Sequence, residues 1–185
     1  MNTIRGDALG AAPLANFFNT VFDLLRLRAG PQDLPSSQGL TLVAVGAYIA
    51  LGVITSETIA KLSTDPAATM NEPFRSLVGA ALHFGAIGLI LAWRRCPERF
   101  QQTALALAST GVVISVAALV LLMQNDPNVA AQPMLALLWF VIFGWSLAVD
   151  ANILRHALDI TLPIAMLVTV MLLAISYLVL ELLFR

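Results

Sequence analysis

The chain has 185 residues, 59% hydrophobic and 11% charged, with a formal net charge of −1 and a mean hydropathy of +0.85. A soluble domain carries about 25% charged residues, so this composition excludes a soluble fold and predicts a membrane protein. The single cysteine, Cys96, excludes an intrachain disulfide, a CxxC pair and a cysteine metal site; it reads as an unreactive thiol at a helix end.

The first 13 residues are polar and rich in Gly and Ala. They lack an apolar core ending in a small-residue cleavage site, so insertion is expected to be driven by the first true span. Residues 14–28 (LANFFNTVFDLLRLR) follow. Wound at 100° per residue, Leu14, Phe17, Phe18, Val21, Phe22, Leu24 and Leu25 fall on one face. Asn16, Asn19, Thr20, Asp23 and Arg26 fall on the other, with Leu27 the one misfit. The segment is too short and too polar to cross a bilayer and is suited to the headgroup region. Phe17, Phe18, Val21, Phe22, Leu25, Arg26 and Arg28 are its expected anchor to the membrane surface, the arginines meeting anionic lipid. In residues 29–39 (AGPQDLPSSQG), Pro31 and Pro35 interrupt helical hydrogen bonding. The chain therefore divides into an N-terminal segment, 1–39, with its surface helix and elbow, and a transmembrane domain, 40–185.

Five apolar stretches fill that domain: about 40–60, 74–93, 103–123, 134–153 and 160–182. A hydrocarbon core of about 30 Å needs about 20 helical residues to cross it, and only a helix satisfies its own backbone there. The expected fold is all-α: an integral membrane bundle of five transmembrane helices preceded by an amphipathic interfacial helix. With the N-terminus inside, one set of connections carries Arg5, Arg26, Arg28, Arg94, Arg95, Arg99 and Arg155. The other side carries Lys61, Arg75 and Arg185. This bias predicts a cytoplasmic N-terminus and a periplasmic C-terminus in a bacterial inner membrane; the bacterial assignment follows from the preference for Arg over Lys, a habit of GC-rich genomes.

Transmembrane helices associate through close backbone approach along small residues. Ala81, Gly85, Gly88 and Ala92 form such a stripe in the second span, and Ala104, Ala108, Gly111, Ser115 and Ala118 in the third. The short turn between the two spans predicts an antiparallel hairpin zipped along both stripes.

Polar groups within spans are few. His83 is the ionisable side chain nearest a span centre, readable as a proton relay or ligand contact or as a neutral ring bonded across a helix interface. The second is the plainer reading. Glu57 and Glu181 read as solvated boundary carboxylates. Asp150 and Asn152 mark the inner end of the fourth span, followed by Arg155 and His156, and Arg155 has the spacing to pair with Asp159. His83 and Arg155 are the candidate polar positions. No HExxH, GxSxG or P-loop is present, and two histidines are too few for a bundle with paired haem ligands. No catalytic, cofactor-binding or metal-binding residues are assigned, and no cofactor.

The stretches FFNTVFDLLRLRAGPQDLPSS and WSLAVDANILRHAL, together with the amphipathic start, the five spans and the very short tail after the fifth, resemble the Yip1-like family of membrane proteins. The two segments also look like those of proteobacterial proteins sometimes grouped there. The resemblance supplies no catalytic residues, and the trafficking role of the eukaryotic relatives, exerted with small GTPases, does not carry into a bacterium; the surface helix, the small-residue seams and the empty catalytic inventory are what point to a non-enzymatic protein. The leading expectation is an assembly, scaffold or accessory subunit whose partners are the bilayer, other membrane proteins or itself, and not nucleic acid. The alternative is a small transporter or channel for a small or lipid-like solute, using His83.

Overall fold

The computed structural model describes residues 8–62, 67–125 and 132–184; side chains are described from Ala15 onward, apart from positions 61–72. Arg5, Arg185, the Leu14 side chain and most of the connection at 124–133 lie outside this set. The described residues form six α-helices: α1 (Ala8–Leu25), α2 (Gln38–Leu62), α3 (Ala67–Trp93), α4 (Phe100–Leu122), α5 (Pro133–Leu158) and α6 (Leu162–Leu183). The last five are long and apolar enough to cross a membrane. Pro133 and Pro163 stand in the first turns of α5 and α6, where a missing N–H costs little.

The principal contacts close α2–α6 into a ring. α2 lies between α3 and α4, α3 also meets α6, and α5 links α6 back to α4. More of α4 is buried than of any other span, with an unbroken buried run from Thr103 to Thr110. The hydroxyls in this run are satisfied internally: Ser109 donates to the Leu105 carbonyl at 2.7 Å and Thr110 to that of Ala106 at 2.8 Å.

The ends of α1, α3 and α5, the turns 93–100 and 158–162 and the elbow at 29–37 gather at one end of the ring, which is basic. There Arg94 donates to the Leu158 carbonyl at 3.0 Å, and Arg99 to that of Ala157 at 3.1 Å. Both cap the electronegative C-terminus of α5. All three helices that finish here do so through a left-handed residue that is not glycine: Leu27, Arg95 and Asp159, with φ of 61°, 61° and 57°. Each reversal is fixed by a bond spanning six residues, as from the Cys96 N–H to the Leu91 carbonyl at 2.9 Å. At the opposite end Arg75 pairs with Glu181 at 3.3 Å and Phe74 packs edge-on against Phe184, tying α3 to α6.

Four sequence-based expectations are revised. α1 does not stand apart from the spans. Val21 and Leu24 are buried in the same apolar cluster as Ile87, Leu105, Val149 and Ile153, with Phe17 and Leu25 packed against it. Phe18, Phe22, Arg26 and Arg28 remain exposed, so the helix docks along one edge and leaves the other uncovered. The elbow is bound as well: Asn152 donates to the Ala29 carbonyl at 3.2 Å and Gln102 to that of Leu34 at 2.9 Å.

The hairpin expected between the second and third spans gives way to a different pairing, because α4 packs chiefly against α2. Ala81, Gly85 and Ala92 of the α3 stripe are exposed, while Gly88 lies against the Phe100 ring. On α4, Ala104 and Ala108 are buried and Gly111 meets Tyr48 of α2; Ser115 and Ala118 are half-buried. The small residues on α4 thus mark a contact face, but its partner is α2.

Asp159 pairs with Arg99 at 3.8 Å instead of with Arg155, because the left-handed turn at Asp159 carries it off the helical register. Finally, α5 continues to Leu158 where its span was expected to stop at 153. Asn152, Ile153 and Leu154 are buried, and Asp150 moves correspondingly deeper.

Candidate functional site: a polar cavity inside the helix ring

A cavity of about 240 Å³ lies inside the ring, and all five spans line it. Tyr48 comes from α2, His83 and Phe84 from α3, Gly111 and Ser115 from α4, Ser146 and Asp150 from α5, and Leu173 from α6. His83 stands near the middle of α3 and Gly111 at the middle of α4. At 1.5 Å per residue, Asp150 lies about 12 Å in from the end of α5.

The aromatic wall is ordered. The Tyr48 and Phe84 rings meet edge-on with centroids 5.8 Å apart, and the His83 and Phe84 rings likewise at 5.6 Å. Tyr48 can sit there because position 111 has no side chain: a Cβ would come within 2.7 Å of its ring. Gly111 is thus required by a close approach, not by its backbone angles.

Asp150 is the chemically decisive member. Among the described residues, none donates a hydrogen bond to its carboxyl group or forms an ion pair with it. An ionisable group in the middle of a span is costly, by about 2.5–3.5 kcal/mol on insertion scales, and no hydrogen bond or ion pair among the described residues offsets that cost. The Tyr48 hydroxyl, the His83 ring and the hydroxyls of Ser115 and Ser146 share its cavity, so donors and acceptors converge on one small volume.

The cavity is closed on one side and extended on the other. Towards the basic end lies the apolar cluster of Ile87, Leu91, Leu105, Leu107, Val149 and Ile153. Towards the opposite end, a second cavity of about 320 Å³ shares Tyr48 and Ser115 with the first and continues past Gly52, Ser56 and Ser76 to Arg75. Tyr48 and Ser115 form the common wall.

The structure separates the two candidate polar positions. His83 lines the central cavity, whereas Arg155 lines another at the basic end. Among the described residues, no group of three or more His, Cys, Asp or Glu side chains has the arrangement to hold a metal ion. Asp150 and Tyr48 were not singled out by sequence reasoning. The available signal was spacing: Phe143, Ser146, Leu147 and Asp150 fall at i, i+3, i+4 and i+7, one face of a helix, and all four line the cavity. Reading Asp150 as a span boundary concealed that face.

Compared with protein-family models, with curated proteins and with solved structures, the chain matches none. The likeness to Yip1-like proteins rests on the segments and layout quoted above.

Proposed function

We propose that this chain is a bacterial inner-membrane protein that binds a small cationic solute at the centre of its helix ring and passes it across the membrane. The observation that carries this reading is the Asp150 carboxyl group, facing a cavity among the spans with no hydrogen-bond or ion-pair partner among the described residues. A carboxylate at low dielectric attracts a cation far more strongly than it would in water. His83, Tyr48, Ser115 and Ser146 supply the hydrogen-bonding groups that would replace the solute's hydration shell. At about 240 Å³ the space falls below the roughly 300–1,000 Å³ of sites for drug-sized ligands, which favours a small solute. The charge bias favours a cytoplasmic position for the basic end. The second cavity then gives access from the periplasmic side, and translocation requires the Ile87–Leu105–Ile153 cluster to part.

The test is flux of monovalent inorganic cations and small amines into vesicles reconstituted with the full chain. Loss of a charge-assisted contact of about 1.5–3 kcal/mol predicts that Asp150→Asn lowers uptake by roughly tenfold or more, with a smaller loss in His83→Ala. Equal flux in the parent and both variants, or no flux in the parent, would remove the proposal.

A second reading, assembly with another membrane protein or a second copy, is favoured by one observation. The α3 stripe of Ala81, Gly85 and Ala92 is exposed, and a Cβ at Gly85 would meet nothing within 4 Å, so a further helix could approach there. Under this reading Gly85→Leu abolishes a crosslinked complex that the parent forms in native membranes. A strictly monomeric parent with no co-purifying protein would rule it out.

A further inference from the structure

A third cavity, of about 460 Å³, opens at the basic end between the elbow, the start of α4 and the turn joining α5 to α6. Arg99, Arg155, His156 and Asp159 line it, and its two guanidinium groups are in different states. Arg99 is committed to the protein: it donates to the carbonyls of His156 and Ala157 and lies 3.8 Å from Asp159. Arg155 is not. The His156 Nδ1 lies 2.8 Å from the Asn152 carbonyl and must donate to it, which leaves Nε2 to accept from Arg155 at 3.2 Å. That is the one hydrogen bond Arg155 makes among the described residues, and no carboxylate there pairs with it.

The cavity therefore holds two fixed positive charges against the single, exposed Asp159. Arg155 is half-buried, and most of its planar fork of donors is unused. Such a fork matches the oxygens of a phosphate group. The cavity also stands at the level where spans end and headgroups begin, walled on one side by the elbow that holds α1. We infer that this cavity binds a phosphate-bearing anion, with Arg155 as the recognising side chain and Arg99 as a second, fixed positive charge. The source of the phosphate is either the headgroup of an anionic phospholipid or a soluble phosphate compound. The inference is independent of the solute proposed for the central cavity.

Full-length protein can be exchanged into nanodiscs of phosphatidylcholine alone or with one fifth phosphatidylglycerol. Retained lipid is then counted by native mass spectrometry, and thermal stability is measured alongside. In detergent, inorganic phosphate and glycerol 1-phosphate serve as soluble probes. Retention of phosphatidylglycerol that falls roughly tenfold in Arg155→Gln, is partly restored in Arg155→Lys, and is unchanged in Arg95→Gln supports a lipid site. Arg95 is exposed at the same end and does not line the cavity, so it controls for diffuse surface charge. Stabilisation by the soluble probes with the same dependence on Arg155, without retained lipid, supports the site with a soluble phosphate as its source. If Arg155→Gln fails to fold, Arg155→Lys alone decides: binding weaker than in the parent supports the inference. Binding unaffected by either change at Arg155, equal loss in Arg95→Gln, or no binding of any probe by the parent overturns it.

Discussion

Asp150→Leu is expected to raise the thermal midpoint of the purified bundle while abolishing solute flux. The carboxyl group has no hydrogen-bond or ion-pair partner among the described residues, and a polar group held so costs about 1–3 kcal/mol. Leucine is bulkier than aspartate, but the adjoining cavity of about 240 Å³ has room for the added carbons. The gain should be about 2–4 °C per kcal/mol for a chain of this size. Opposite signs for stability and activity are the mark of a residue kept for function at the expense of the fold. Thermal unfolding followed by helical signal, with flux measured on the same preparations, checks both halves. A lower midpoint in Asp150→Leu would mean that the carboxyl group is structural, and the central cavity would lose its claim to be a binding site.

The second large effect is expected from the paired change Gln102→Leu with Asn152→Leu. These side chains donate to the Leu34 and Ala29 carbonyls at 2.9 and 3.2 Å, and no other side chain from the spans is seen to hold the elbow by a hydrogen bond among the described residues. Each loss strands a partly buried carbonyl at about 1–3 kcal/mol. Because both act on one short segment, the effects should couple instead of simply adding. The spans should stay assembled while α1 and the elbow open locally. Hydrogen exchange across residues 15–37 should therefore accelerate in the double variant, and protease should cut near Ser36 and Ser37, with α2–α6 protected as before. Unchanged exchange in α1 would show that Val21 and Leu24 hold it without help.

These two results bear on how much of the molecule was legible in its sequence. The five spans were, because the length of an apolar run is itself the physical requirement for crossing a bilayer. The amphipathic N-terminal helix was too, since the period of Phe17, Val21 and Leu24 is a local property. What could not be read was choice of partner. A stripe of small residues tells that a face can be approached closely, yet says nothing of which helix approaches it: Gly111 receives Tyr48 of α2, whereas Gly85 faces outward. The amphipathic face of α1 was equally ambiguous, since lipid and a protein groove both accept Val21 and Leu24. Asp150 was misplaced for a further reason. The polar run of Asp150, Asn152, Arg155 and His156 looks like a helix leaving the membrane, but Asn152 and Arg155 are turned to the elbow and the basic cavity while the helix continues. Seeing that required knowing that residues 29–34 return to cover them.

The arginines at the basic end have a double duty. Arg94 and Arg99 contribute to the charge asymmetry by which the chain would be oriented as it enters the bilayer, and in the finished fold the same guanidinium groups close the open carbonyls of α5. Under the proposed orientation, a signal read during biogenesis would thus be reused as mortar afterwards. Any substitution there would then be judged twice, once by the insertion machinery and once by the mature helix. Lysine would satisfy the first judge, but its single ammonium lacks the flat, multidentate donor array that reaches across to the neighbouring turn.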